Sequence, residues 1–305
     1  MLSAGISSVR MEHDTTQRLD ALRAALADMG SVLVAFSGGV DSAVVARVAH
    51  EVLGDRAVAL TAVSPTFPPE ELAASEAMTA ACGIQHVLVD SHELEREGYA
   101  RNAGDRCYFC KSELFELARD RAARLGLAHV ADGTILDDLG GHRPGLVAAG
   151  ENAVRHPLVD AGFDKATVRA VARHYGLHVW DKPSFACLGS RFPVGTRVTE
   201  PRLRMVQGVE TFLRLIGLRH FRARWHEVEG QPLCRIEVDV GSLEILVRPG
   251  VREGLVEACE AEGFRWVTLD LMGYQEGSLS KATPSAAATA STPSRPPARG
   301  GHSPS

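Results

Sequence analysis

Apolar residues in the first two thirds of the chain follow two alternating patterns. Over residues 15–29 they recur at Leu19, Leu22, Leu26 and Met29, steps of three and four that predict an amphipathic helix. An unbroken apolar run over 32–36 then predicts a strand buried on both faces. Residues 43–49 read as a helix, 57–63 as a second strand, 70–82 as a helix and 85–89 as a third strand. The alternation continues with a helix over 112–125, a strand over 129–132, a helix over 165–175 and a short strand over 178–180. Strands separated by helices at this spacing predict a parallel sheet covered on both faces.

After Cys187 the texture changes. A long amphipathic helix is predicted over 200–216, paired strands over 221–226 and 234–239, a helix over 250–262 and a last strand over 266–271. The chain therefore divides into a flexible N-terminus (1–14), an α/β parallel-sheet domain (15–190), a smaller α+β domain (191–279) and a tail (280–305). The tail is Ala, Thr, Ser and Pro with almost no large apolar residue, a composition that predicts disorder.

Composition narrows the class. At 305 residues and 45% hydrophobic content the chain can bury an ample core. No apolar run is long enough to span a membrane, and the N-terminus has no signal-peptide core, so the cytoplasm is expected. A net charge of -5 gives no global reason to bind nucleic acid. Six cysteines in such a chain are expected to be unpaired, metal-binding or catalytic.

Ser37-Gly38-Gly39-Val40-Asp41-Ser42 lies between the first strand and its helix. Two glycines let the backbone turn tightly, two serines offer hydroxyls, and the helix start presents amides and a positive dipole end. That is an anion cradle, although a Gly-rich turn without ligand has the same ingredients. A Walker A loop would end Gly-Lys-Ser/Thr, and this one does not. The motif resembles the PP-loop of ATP pyrophosphatases, which split ATP between the α and β phosphates. The resemblance implies a Rossmann-like, adenine nucleotide alpha hydrolase-like fold, with ATP held by Ser37, Gly38, Gly39, Asp41 and Ser42.

Two more constellations carry chemistry. Asp132-Gly133-Thr134-Ile135-Leu136-Asp137-Asp138 follows a strand, and its acids either hold Mg²⁺ on the pyrophosphate or cap the next segment. Thr134 and Asp137 are the nucleotide-site candidates there. Cys107-Tyr108-Phe109-Cys110 spaces two thiols as in zinc, iron–sulfur and redox sites. Cys187 lies in a loop and is either reactive or inert. Cys82, Cys234 and Cys259 have no partner at metal spacing and read as packing residues.

SGGVDS, DRCYFCK, GTILDDLGGHRPGL, VRHPL, KPSFACLGSR, FRARWHE, RIEV and LDLMGYQEGS occur in the order found in the LarE family, which the chain resembles over about 15–280. One departure is Ile135, where the family has Asn. The resemblance implies an ATP-dependent sulfurtransferase acting on pyridinium-3,5-biscarboxylic acid mononucleotide in nickel-pincer nucleotide biosynthesis. A carboxylate is adenylated, pyrophosphate leaves, and sulfur displaces AMP to give a thiocarboxylate. Asp41 and Cys187 are the expected catalytic residues. The sulfur comes either from a sacrificial Cys187 or from sulfide on a 4Fe–4S cluster held by Cys107, Cys110 and Cys187. Three thiolates leave one iron open, which favours the cluster.

The resemblance also implies a substrate-phosphate clamp from Ser190, Arg191, Arg222 and Arg224, with Glu210 and Glu237 nearby. The two strand arginines read otherwise as a solvated basic strand. A homo-oligomer, as large as a hexamer, and a sulfide donor are the implied protein partners. The rivals are a tRNA thiolase, an amide-forming ligase and a nucleotide-binding sensor.

Overall fold

The computed structural model describes residues 2–140, 143–182 and 186–275, with side chains from residue 13 onward. The tail expected over 280–305, His142, and Ser184 and Phe185 of the KPSFACLGSR motif lie outside these residues.

Four strands, β1 (Val32–Ala35), β2 (Ala57–Val63), β3 (Gln85–Asp90) and β4 (His129–Ala131), form a parallel sheet in the order β3-β2-β1-β4. Helix α1 (Leu2–Met29) precedes β1, α2 (Val40–Leu53) follows it, and α3 (Pro69–Cys82) joins β2 to β3. The short α4 (Glu97–Ala100) and long α5 (Arg106–Leu125) lead into β4, and α6 (Pro144–Glu151), α7 (Pro157–Asp160) and α8 (Lys165–His174) come after it. Side chains alternate across a strand, and β1 shows the result. Val32 and Val34 pack with Leu22 and Leu26 of α1, Val44 and Val48 of α2, and Val168 of α8. Leu33 and Ala35 pack on the opposite face with Phe115 and Ala118 of α5 and Ala148 of α6.

Three differences from the sequence reading have local causes. Helix α1 starts at Leu2, so residues 2–14, expected to be flexible, are helical; Leu2, Ile6 and Val9 already carry the spacing of four and three. Helix α5 starts at Arg106 rather than at residue 112, which puts both cysteines of the CxxC pair in its first turns. Residues 178–180 form turns, not a strand: Trp180 N bonds Leu177 O and Lys182 N bonds Val179 O. The free edge of β4 is met instead by Arg155, whose N–H donates to Val130 O and whose carbonyl accepts from Asp132 N.

A second sheet follows, with α9 (Glu200–Leu215), β5 (Phe221–Val228), β6 (Gln231–Val238), α10 (Leu243–Leu246), α11 (Val251–Ala261) and β7 (Trp266–Leu269) in the strand order β5-β6-β7. Glu229 (φ 52°) and Gly230 (φ 73°) make the tight turn between antiparallel β5 and β6. One sheet face, with Ala223, Trp225, Cys234 and Ile236, buries against Leu203, Val206 and Val209 of α9 and Cys259 of α11. Tyr99 and Leu188 belong to this second core, so α4 and the turn after Cys187 pack with the three-stranded sheet and its helices. Cys82, Cys234 and Cys259 are buried, as packing residues should be, and all six cysteines are unpaired. Among the described residues no helix is long and apolar enough to cross a membrane.

Candidate functional site

The chain leaves β1 to build β2 and β3 on one side, then returns to place β4 on the other. The carboxyl ends of β1 and β4 therefore flank the switch point of the sheet, where ligands of such folds bind. Ser37–Ser42 emerges from one end and Asp132–Asp138 from the other. Gly38 takes φ +72°, and a Cβ there would press on Ser75, so the loop needs glycine at this position. Ser42 Oγ donates to Gly39 O at 3.1 Å and accepts from Ser37 N at 3.3 Å, which closes the loop over the start of α2. Gly133 matters as much, although the motif reading passed over it. A Cβ on Gly133 would lie 2.7 Å from Ser42 N, so only glycine lets the β4 turn rest on the α2 N-terminus.

Asp41 is clamped by Lys165, whose Nζ donates to both carboxylate oxygens at 2.8 Å. Burial raises the Asp41 pKa, and Lys165 offsets this only in part. Nothing local in the sequence marks Lys165, which comes from the first turn of α8. The acids after β4 are largely committed. Asp132 accepts from Thr134 N (3.0 Å), Thr134 Oγ1 (2.9 Å) and His156 Nδ1 (2.7 Å). Asp137 accepts from Lys165 N at 2.9 Å, and Asp138 accepts from Ile135 N and pairs with Arg143. Thr134 and Asp137 thus stand at the switch point, Thr134 bonded to Asp132 and Asp137 exposed with one bond from Lys165 N. Burial works against ionisation of Asp132, but the bonds from His156 and Thr134 and the charge of Lys111 hold its pKa below the usual range. The hydrogen bond to Asp132 raises the His156 pKa in return.

Cys107 and Cys110 lie one turn apart at the start of α5, on the same side of the helix. The turn after Cys187 is tied to α5 by Arg106, whose Nη1 donates to Gly189 O at 2.6 Å and to Asn102 Oδ1 at 2.7 Å. Burial pushes both CxxC thiols up, and the charge of Cys187 pushes each further, so the three sulfurs share one electrostatic neighbourhood. Lys111 and Arg106 oppose this at Cys107. Among the described residues, no three His, Cys, Asp or Glu side chains stand at metal-holding spacing. The charge of Cys187 acts on Cys107 and Cys110, and two buried donor atoms, Tyr99 Oη and Arg106 Nε, lack hydrogen-bond partners.

Lys111 joins the two regions. Its side chain follows Cys110 directly, passes Gly145, and carries charge that acts on Cys107 and Cys110 as well as on Asp132 and His156.

The residues expected to clamp the substrate phosphate lie together, with their charges engaged within the protein. Arg191 and Glu210 form a two-pronged buried pair at 2.7 and 2.9 Å, and Arg191 Nη1 holds Ala186 O and Ser190 Oγ. Arg224 donates to Glu237 at 2.8 Å and to Ser190 O at 2.9 Å. Arg222 donates to Phe221 O and to the Tyr274 hydroxyl, and lies 5.0 Å over the Tyr274 ring. Burial, followed by repulsion from Arg191 and Arg224, lowers its pKa. Register places Arg222, Arg224 and His226 on one face of β5, opposite Glu237, Arg235 and Leu233 of β6. Sequence reasoning missed Arg235, His226 and Tyr274 here, because only the strand pairing brings them to the arginines.

A family profile described as NAD synthase matches residues 15–114, the stretch from α1 through the CxxC pair. An uncharacterized protein of Synechocystis sp. is 42% identical over 264 residues, covering 87% of this chain and 97% of that protein. The tRNA-specific 2-thiouridylase MnmA of Caulobacter vibrioides is 26% identical over 282 residues, covering 74% of this chain and 72% of that protein. The pyridinium-3,5-bisthiocarboxylic acid mononucleotide synthase of Lactiplantibacillus plantarum is 36% identical over 262 residues, covering 85% of this chain and 92% of that enzyme. With the PP-loop at the switch point of a parallel sheet, this similarity makes the chain an enzyme of the LarE family.

Proposed function

We propose that the enzyme is an ATP-dependent sulfurtransferase that adenylates the carboxylates of pyridinium-3,5-biscarboxylic acid mononucleotide and converts them to thiocarboxylates. The observation that carries this reading is the 36% identity, over 92% of its length, to the pyridinium-3,5-bisthiocarboxylic acid mononucleotide synthase, together with a PP-loop at the switch point of the parallel sheet. MgATP enters as substrate, its phosphates meeting the loop amides and hydroxyls of Ser37–Ser42 at the positive end of α2. A substrate carboxylate oxygen attacks the α-phosphorus, and the bond to the β-phosphate breaks to release pyrophosphate. Lys111, whose charge reaches Asp132 and His156, offsets the negative charge that gathers there. A sulfur nucleophile then attacks the acyl carbon; the C–S bond forms and AMP departs with the electron pair of the broken C–O bond.

Cys107, Cys110 and Cys187 are the residues that would hold a 4Fe–4S cluster, which supplies sulfide when bound. Without it, Cys187 itself is the donor. Its thioester eliminates through loss of the Cα proton and cleavage of Cβ–S, leaving dehydroalanine. Arg222, with Ser190 and the Arg191–Glu210 and Arg224–Glu237 pairs behind it, is assigned to the substrate phosphate. Six unpaired cysteines suit a reducing compartment such as the cytoplasm.

The likeness to MnmA favours tRNA thiolation as the second reading. Pyrophosphate release from MgATP separates the two. Release that depends on the pyridinium mononucleotide supports the proposal, and release that depends on bulk tRNA, falling steeply with salt, replaces it.

A further inference from the structure

Tyr99 is fully buried, yet its hydroxyl has no hydrogen-bond partner among the described residues. Arg106 Nε is in the same condition. The two atoms meet at one spot. A Cβ placed on Gly189 would stand 2.4 Å from Tyr99 Oη and 3.3 Å from Arg106 Nε, so glycine there is what lets both donors pack against the backbone beside Cys187. Gly189 lies two residues after Cys187, and Arg106 Nη1 is already spent on Gly189 O and Asn102 Oδ1. The carboxylate whose charge acts on Tyr99 is Glu93, and its bonds are made to other groups. Glu93 takes the hydroxyls of Ser64 (2.5 Å), Thr66 (2.7 Å) and Ser91 (2.6 Å).

A buried donor left without an acceptor is costly, and each such atom in a folded protein calls for an explanation. Here one donor belongs to a cation, which selects an anion, and the groups around the spot are thiols. We propose that Tyr99 Oη and Arg106 Nε form a small sulfur-anion site at Gly189 that holds the transferable sulfur, as hydrosulfide or as the Cys187 thiolate. Both are positioning residues. They donate hydrogen bonds to the anion, transfer no proton, and keep the sulfur placed until it attacks the acyl adenylate. The proposal rests on the sulfurtransferase reading.

The test uses the full-length protein purified without oxygen, with MgATP, the pyridinium mononucleotide and sodium hydrosulfide as the varied probe. Tyr99→Phe keeps the ring and removes an atom without a partner, so Tm stays at the wild-type value or rises. The hydrosulfide concentration giving half-maximal thiocarboxylate formation is expected to rise about tenfold or more, the loss of a hydrogen bond to a charged acceptor. The maximal rate should change little. If the sulfur is that of Cys187, the same variant instead slows single-turnover conversion of Cys187 to dehydroalanine, without added hydrosulfide, by a similar factor. Arg106→Lys should act in the same direction. A Tyr99→Phe protein matching wild type in both measurements overturns the proposal alone. A wild-type protein that forms no thiocarboxylate from either source overturns the sulfurtransferase reading, and this proposal with it.

Discussion

Gly133→Ala is the sharpest perturbation of the nucleotide site. The added Cβ would lie 2.7 Å from Ser42 N, 3.0 Å from Asp41 C and 3.1 Å from Ser42 Cα. All three are backbone atoms in the first turn of α2, so no rotamer change relieves the clash. Either the Asp132–Thr134 turn or the PP-loop must move. Overpacking of this kind costs about 1–3 kcal/mol, which for a chain of this size lowers Tm by roughly 2–12 °C. The same movement opens the cradle. If one tenfold step corresponds to about 1.4 kcal/mol, the Kd for MgATP should rise about tenfold or more. Thermal unfolding of the full-length protein and equilibrium dialysis against MgATP measure both effects. Gly140→Ala is the control, because a Cβ at Gly140 meets no atom within 4 Å. Wild-type Tm and wild-type ATP affinity in Gly133→Ala would refute the contact between the two turns.

Three further outcomes are expected. Lys165→Met removes both bonds to Asp41, whose pKa burial already raises; the acid limb of the pH profile for pyrophosphate release should move to higher pH, and an unmoved limb would count against the pair. Arg191→Met strands Glu210 in the core and should cost about 3–5 kcal/mol in urea unfolding, whereas Arg191→Met with Glu210→Leu should recover much of it; equal losses would mean the pair is not coupled. His226 is pushed down to about 4 from 6.5, first by burial and then by Arg235 and Arg224. As pH falls through 6.5 the unfolded chain takes the proton first, so this histidine withdraws stability between pH 6.5 and about 4 and no more below that. His226→Gln should flatten that part of the stability–pH curve, and an unchanged slope from pH 7 to pH 5 would exclude the burial.

The parts of the fold legible in the sequence are those fixed by local repetition. The run 32–36 and the helices on either side of it could be read because strand and helix periods differ and the glycines mark the change. The antiparallel pair β5–β6 could be read because residues alternate along both strands. Contacts made across long stretches of chain were not legible. Lys165 reaches Asp41 from 124 positions away, and Gly133 is constrained by the backbone of another element rather than by its own dihedral angles. The start of α5 was missed because Arg-Cys-Tyr-Phe-Cys-Lys carries polar and apolar residues without helical periodicity. The arginines were read correctly as a group sharing one strand face. Their pairing with Glu210 and Glu237 depends on α9 and β6 meeting β5, which no local pattern encodes.

The central claim is tested most directly by the product. Full-length enzyme, MgATP, hydrosulfide and pyridinium-3,5-biscarboxylic acid mononucleotide are incubated without oxygen, and the nucleotide is weighed by mass spectrometry while pyrophosphate and AMP are counted. The account predicts replacement of a carboxylate oxygen by sulfur, with one pyrophosphate and one AMP for each replacement. Pyrophosphate and AMP formed with no sulfur in the nucleotide, or no release of either, would contradict it.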